Sequence, residues 1–415
     1  MAKLADAADL KSAGLTAVWV RAPLPAPLHT PTTRSPRLRS ATAHRRAVPR
    51  KDVAMKAAVF HGPNQDLTIE DVDVSKPGPR EVLVKTAASG VCHSDLHFVE
   101  GLYPFQAPGI LGHEAAGVVE EVGELVQQFK AGDHVIMCLS VFCGNCSYCL
   151  SGRPALCRSP ETQRRPDEDP RLSWNGNPVA QFANLSTYAE YTLVHENALV
   201  YVDDEMPLDK AALIGCGVMT GAGAAMNTAK VHHGSTVAVF GAGGVGLSAI
   251  QGARIAGAKQ IIAVDLHEHK LALARELGAT HSVDASTGDP VAQIQDMTDG
   301  EGVDFSFEAI GLKTVAEQCF AAIKRGGVAT IIGMVPLGQT LEIPAHELLS
   351  EKVLQGSSMG SNRFRTDMPN LVDYYRQGRL MLDEMVTVTA PLEDINEAFR
   401  AMKAGEVART VLTSF

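Results

Sequence analysis

Residues 235–265 read STVAVFGAGGVGLSAIQGARIAGAKQIIAVD, and no other stretch restricts the fold as tightly. Gly241-x-Gly243-x-x-Gly246 follows a β-branched apolar run and opens a helical pattern. The order carries the chemistry. The first glycine makes the turn, the second lets backbone approach a pyrophosphate, and the third packs helix on strand. The new helix then offers free N–H groups and the positive end of its dipole to phosphate. Gly244, inside the same turn, is counted with the cofactor-binding residues. Asp265 ends the next apolar run, where a carboxylate accepts hydrogen bonds from an adenosine 2′-hydroxyl and repels a 2′-phosphate. The stretch therefore predicts NAD in preference to NADP.

The same grammar continues. "QIIAVD", "HSVDA", "VDFSFEAIG" and "VATIIGMV" read as strands, separated by helices around "HEHKLALARELGA", "PVAQIQDMT" and "VAEQCFAAIKRGG". Strands alternating with helices of about ten residues predict right-handed crossovers and a parallel sheet. From Met55 to about Val141, short β-branched runs between Gly and Pro predict a mostly β region. Mixed elements return after about residue 359. Residues 211–229 and 234–253 carry no charge. Their glycines and interspersed Thr, Ser and Asn favour buried parallel strands with their helix starts over membrane spans. A net charge of −10 argues against nucleic-acid and anionic-membrane partners. Residues 1–54 differ: ten Lys/Arg against three Asp/Glu, with many prolines, predict a disordered extension. A transit peptide is one reading of that extension, and an upstream start codon ahead of Met55 is the preferred one.

Four of the eight cysteines, Cys143, Cys146, Cys149 and Cys157, fall within fifteen residues. Four thiolates at this spacing close a tetrahedron around Zn²⁺ and leave no open position, a structural site. An iron–sulfur cluster is the rival, but its common short run has a three-residue last gap followed by Pro. Cys92 in "GVCHSDLH", His113 in "LGHEAAG" and Cys216 in "IGCGVMTG" lie far apart. Two Cys and one His with a vacant fourth position form a ligand set of catalytic zinc, although spacing alone does not join them. Cys138 and Cys319 are expected to be packing residues.

Gly112-His113-Glu114-x2-Gly117-x5-Gly123-x2-Val126, followed by the four-cysteine lobe and the GAGGVG turn, resembles the zinc-dependent medium-chain alcohol dehydrogenases, and the likeness runs from Met55 to Phe415. The resemblance implies an α/β fold in which a Rossmann-type, doubly wound parallel sheet domain is inserted into a mostly β, GroES-like catalytic domain. The implied boundaries are 55–216 for the catalytic domain with its lobe at 143–157, 217–358 for the NAD-binding domain, and 359–415 for the return. It also assigns roles. Cys92, His113 and Cys216 hold the catalytic zinc, with Glu114 behind it as an alternate ligand. Asp95 orients the His113 ring. Ser94 accepts the substrate's hydroxyl proton and passes it through the nicotinamide ribose towards His97. His93 and Arg409 contact the pyrophosphate, Lys270 the adenosine ribose, and Thr220 and Val245 the nicotinamide.

The implied function is reversible hydride transfer between a primary alcohol and NAD, with two zinc ions per chain, one catalytic and one structural. Relatives that oxidise formaldehyde–thiol adducts carry an Asp and an Arg where this chain has Tyr103 and Glu161, with Arg164 and Arg165 nearby. That departure leaves a thiol-adduct dehydrogenase as the alternative within enzymology. A non-catalytic binding relative is the alternative outside it. Leu139 stands where an aromatic ring narrows the ethanol pocket of liver enzymes, which predicts room for bulkier or aromatic alcohols. The lobe length points to a homodimer and the clustered cysteines to a reducing, cytoplasmic setting.

Overall fold

The computed structural model describes residues 53–415, so the expectation for residues 1–54 falls outside it except at its last two positions. Val53 and Ala54 already belong to the strand Val53–Phe60. Two bodies of secondary structure meet at one cleft.

The first body is antiparallel apart from its last pair, in which Val388–Pro391 runs parallel to Thr410–Ser414. Its hub is the strand Glu81–Gly90, which pairs with Ala115–Val122, Tyr191–His195 and the C-terminal strand Thr410–Ser414. His134–Met137 and Leu199–Val202 extend the sheet on one side and Val388–Pro391 on the other. Val411 lies opposite Gly90 and Leu412 opposite Ser89. The end of the chain is thus built into the domain that begins it, which is how the parallel sheet comes to be an insertion.

The second body is the predicted parallel sheet. Its strands are ordered His281–Asp284, Gln260–Asp265, Thr236–Phe240, Val303–Glu308, Ile323–Ile331 and Val353–Gly356, with parallel registers throughout. In chain order this is 3-2-1-4-5-6, whose reversal point lies at the first and fourth strands, where such sheets bind ligands.

Residues 211–229 contradict the sequence-based expectation of a buried strand. They belong to one helical run, Leu208–Leu213, Ile214–Val218, Met219–Gly223 and Ala224–Thr228, whose second and fourth segments are π turns. The stretch lacks charge because the helix is buried on nearly all sides. Close approach fixes it there: a Cβ on Gly252 of the helix Gly244–Ile255 would lie 2.7 Å from Ala222 Cα.

The cysteine lobe is moored to the hub strand by one carboxylate. Glu81 accepts from Arg171 Nε at 2.7 Å, from Arg164 Nη2 at 2.6 Å and from the Gly78 N–H at 2.8 Å. Arg164 also donates to Ser75 Oγ and the Lys76 carbonyl, and Arg171 to Gln181 and the Thr162 carbonyl. Burial works to raise the Glu81 carboxyl, but the hydrogen bond from Arg164 and the charge of Arg171 hold it below the usual range. A carboxyl lowered in the folded state stabilises above the ordinary glutamate value of about 4.3 and loses that contribution as pH falls through its folded value. Glu81→Gln should therefore lower stability by about 3 kcal/mol at neutral pH, since it strands the buried Arg171 guanidinium and the partly buried one of Arg164. Melting curves from pH 8 to pH 2 should show the gap between wild type and variant holding down to about pH 4 and closing below it, as Glu81 takes up its proton in the folded state. A gap that stays constant would mean that Glu81 is not held as the anion.

Candidate functional site

Three separate elements aim side chains at one point. Cys92 sits at the extended position that starts the helix His93–Val99. His113 and Glu114 lie just before the strand Ala115–Val122. Cys216 occupies the first π turn of the long helical run, a distortion common at functional sites. Gly112 makes the approach feasible: its φ is 90° and a Cβ there would lie 2.8 Å from the Tyr188 nitrogen. The ligand atoms of Cys92, His113 and Cys216 all fall within 4.8 Å of one another, and all three residues are buried. Two soft sulfurs and one imidazole nitrogen at this spacing fit zinc.

The surroundings bias the donors. A hydrogen bond from the Cys216 thiol pulls Cys92 well below the ordinary thiol range, with the His113 charge adding and burial opposing. Burial pushes His113 down, but Asp95 and Cys92 together carry it well above the usual imidazole value. Asp95 is fully buried. Its Oδ1 accepts from Gly112 N at 3.0 Å and lies 3.1 Å from His113 Nδ1, which leaves Nε2 facing the site. Ser94 Oγ lies 3.1 Å from Cys92 Sγ and 3.2 Å from His113 Nε2.

Behind the cluster, Glu114 pairs with Arg409, both buried, and Glu114 Oε2 accepts from the Gly217 N–H at 2.8 Å. Glu114 Oε1 has no partner. Burial raises the Glu114 carboxyl and the Arg409 charge opposes that.

The second cluster fits zinc as well. The sulfurs of Cys143 and Cys149 are 4.0 Å apart, those of Cys146 and Cys149 3.5 Å, and those of Cys146 and Cys157 3.8 Å. A tetrahedron of Zn–S bonds near 2.3 Å has edges of about 3.8 Å. The N–H groups of Asn145 and Cys146 point at Cys143 Sγ, at 3.4 and 3.3 Å, as expected for a thiolate. Cys138 and Cys319 are fully buried packing residues, and burial pushes the Cys138 thiol up to about 12.

A cleft of about 1150 Å³ runs from the Cys92–His113–Cys216 cluster to the nucleotide turn. His93, Ser94, His97, Thr220, Gly241, Gly243, Gly244, Val245, Asp265, Lys270 and Arg409 all line it. Gly241 has a φ of 98°, and a Cβ on Gly243 would enter open space, leaving room for a phosphate to approach. Gly246 lies outside the lining, packed so closely on the Gly241 carbonyl that no side chain fits. Asp265 braces the turn by accepting from the Ala242 N–H at 2.8 Å. His97 is nearly buried and its Nδ1 has no partner; burial and then the charge of His93 lower its pKa. These features fit a dinucleotide. Asp95 and Glu114 do not line the cleft.

Two residues were not legible beforehand. Tyr188 is fully buried and donates to Asp95 Oδ2 at 2.9 Å. Glu308, at the end of a central parallel strand, accepts from the N–H groups of Ile310 at 2.9 Å and Gly311 at 2.6 Å, fixing a loop that lines the cleft. A carboxylate closing the apolar run "VDFSFE" was the one available signal for Glu308; Tyr188 gave none.

A nucleotide-binding sheet opening onto a Cys–His–Cys cluster defines a metal- and dinucleotide-dependent oxidoreductase. Residues 78–204 match the alcohol dehydrogenase GroES-like domain and residues 244–374 the zinc-binding dehydrogenase family. An alcohol dehydrogenase class-3 of Zea mays is 40% identical over 374 residues, covering 87% of this chain and 97% of that one. Among solved structures, an alcohol dehydrogenase zinc-binding domain protein from Burkholderia ambifaria superposes with a TM-score of 0.84 at 38% identity, over 88% of this chain and all of that one. The benzyl alcohol dehydrogenase of Acinetobacter calcoaceticus follows with a TM-score of 0.82 at 34% identity, over 88% and 100%. The chain belongs to the zinc-dependent medium-chain alcohol dehydrogenase family, and like the family it is an enzyme that uses zinc and NAD.

The two clusters should separate by mutation. Cys92→Ser is expected to leave a folded protein with one zinc per chain and no measurable alcohol oxidation. Cys143→Ser should lose the other ion and lower the melting temperature. Elemental analysis with thermal melts checks both, and a single zinc that survives removal of Cys92 at wild-type stoichiometry would refute the two-site assignment.

Proposed function

We propose that this chain oxidises primary alcohols, bulky or aromatic ones included, reversibly with NAD, through two zinc ions. Catalytic zinc held by Cys92, His113 and Cys216 would supply Lewis-acid polarisation of the alcohol oxygen, and the nicotinamide would supply the hydride chemistry. The residues do the rest. Asp95, held by Tyr188 and the Gly112 N–H, fixes the His113 tautomer. Ser94, beside Cys92 and His113, takes the hydroxyl proton, because a hydroxyl donates and accepts without holding charge. His97, favoured neutral and with a free Nδ1, receives it on the way to solvent. His93, Arg409 and Lys270 face the dinucleotide's phosphates and ribose, with Thr220 and Val245 at the nicotinamide. The observation that carries this reading is the convergence of Cys92, His113 and Cys216 at one end of the nucleotide cleft. Domain boundaries at 55–216, 217–358 and 359–415 are part of the same proposal.

The substrate end is apolar, lined by Leu139, Leu156, Met334 and Met359, and a benzyl alcohol dehydrogenase is among the structural relatives. The positions that would bind a thiol adduct are otherwise engaged. The Tyr103 hydroxyl donates to the Val335 carbonyl, Glu161 meets Asn145, and Arg164 is taken up by Glu81. The relevant measurement is NADH absorbance at saturating NAD. kcat/KM should rise at least roughly tenfold from ethanol to hexanol and benzyl alcohol, as added buried methylenes contribute, and chelator should abolish it. A steady fall along that series would overturn the bulky-alcohol reading.

A homodimer is part of the proposal. The strand Val353–Gly356 is the open edge of the parallel sheet, with Leu349 88% exposed and Val353 43% exposed beside it, a surface that proteins normally cover. Leu349→Asp is expected to shift the protein from dimer to monomer by light scattering with its zinc retained. A monomeric wild type would refute the assembly. A cytoplasmic setting agrees with eight unpaired cysteines, and among the described residues no helix is long and apolar enough to cross a membrane.

A further inference from the structure

One hydrogen bond crosses the substrate end of the cleft between the two bodies. The loop after the helix His93–Val99 carries Tyr103, and its hydroxyl donates to the Val335 carbonyl at 2.6 Å, across 232 residues of sequence. Among the described residues it is the one hydrogen bond to that carbonyl. Val335 precedes Pro336, which confines it to extended backbone, so its carbonyl has no helical partner to turn to.

Both ends of this bond are tied to parts that the reaction uses. On one side the Tyr103 ring leans on His97, with centroids 6.1 Å apart, and on Phe98 at 5.8 Å. On the other, Val335 follows Met334, which lines the cleft. The segment below is fixed to the nucleotide sheet, because the N–H groups of Ile332 and Gly333 donate to the Glu308 carbonyl at 2.9 and 3.1 Å. Tyr103 itself is half-buried and does not line the cleft. Its link to the cleft therefore runs through the Val335 carbonyl and the adjoining Met334.

We propose that Tyr103 is a positioning residue that clasps the substrate end of the cleft shut through the Val335 carbonyl, and so sets how fast reduced cofactor and bulky product leave. The inference rests on the alcohol dehydrogenase reading above. The physics suits a gate. A neutral hydrogen bond between two half-exposed groups has a small net worth, because water replaces either partner on opening. Such a bond holds the cleft closed for most of the time without trapping what lies inside.

The test is Tyr103→Phe, which keeps the ring on His97 and Phe98 and removes the donor. NADH dissociation is read first, by stopped-flow displacement with no alcohol present. Loss of one neutral hydrogen bond should speed it roughly two- to twelvefold. KM for benzyl alcohol should rise by a similar factor, kcat should stay level or rise, and zinc content and melting temperature should match wild type. Unchanged NADH dissociation in a variant of normal stability would overturn the clasp and leave the alcohol dehydrogenase reading intact. A drop in melting temperature and zinc content with dissociation unchanged would also overturn it, by giving Tyr103 a packing role alone. A wild type that neither binds NADH nor oxidises any alcohol would remove the functional reading, and the clasp with it.

Discussion

The buried pair of Glu114 and Arg409 is the contact through which the rest of the site is organised. Two opposite charges are withdrawn from water at positions almost 300 residues apart, one before a strand of the antiparallel sheet and one at the start of the C-terminal strand. Such a pair adds little net stability, because desolvation offsets most of the Coulomb attraction, but separating its members inside the protein is very costly. The pair thereby dictates arrangement. Glu114 also holds the Gly217 N–H next to Cys216, and Arg409 reaches across Gly244 into the cleft. Metal ligands, π turn and nucleotide turn are fixed to one another by two buried side chains.

The architecture around that pair explains why the cleft exists. Closing the antiparallel sheet with the last strand places the parallel sheet as an excursion from a completed domain, so its reversal point opens onto the hub strand. The thiolate–imidazole cluster then sits where a dinucleotide reaching over the sheet would end. Glycines at both faces let backbone come close, at Gly112 beneath the cluster and at Gly241 at the turn. The Glu81 network moors the cysteine lobe to the same hub strand, which makes one strand the reference for both metal clusters.

Legibility in the sequence followed the range of the interactions. The nucleotide turn was readable because its constraint is local: three glycines, a helix start and a terminal carboxylate within about thirty residues are read as one unit. The four-cysteine lobe was readable for the same reason. Residues 211–229 were misread because an uncharged run of Gly, Ala and a few β-branched residues fits a buried strand and a buried helix equally well. Only its neighbours, above all the glycine contact between two helices, decide between them. Tyr188 was invisible because what makes it matter is a hydrogen bond across 93 positions to a buried aspartate.

By itself, then, the sequence determined the parallel nucleotide-binding sheet, the mostly β region before it, the carboxylate of Asp265 at the end of the second parallel strand and the four-cysteine lobe. Each is fixed by stereochemistry or donor chemistry within a short contiguous run. Tertiary structure alone decided that Cys92, His113 and Cys216 share one point, that Glu114 lies behind them against Arg409, and that Tyr103 reaches Val335. Those are meetings of distant segments, set by how the two sheets close on each other, and no local spacing encodes a distance of that kind.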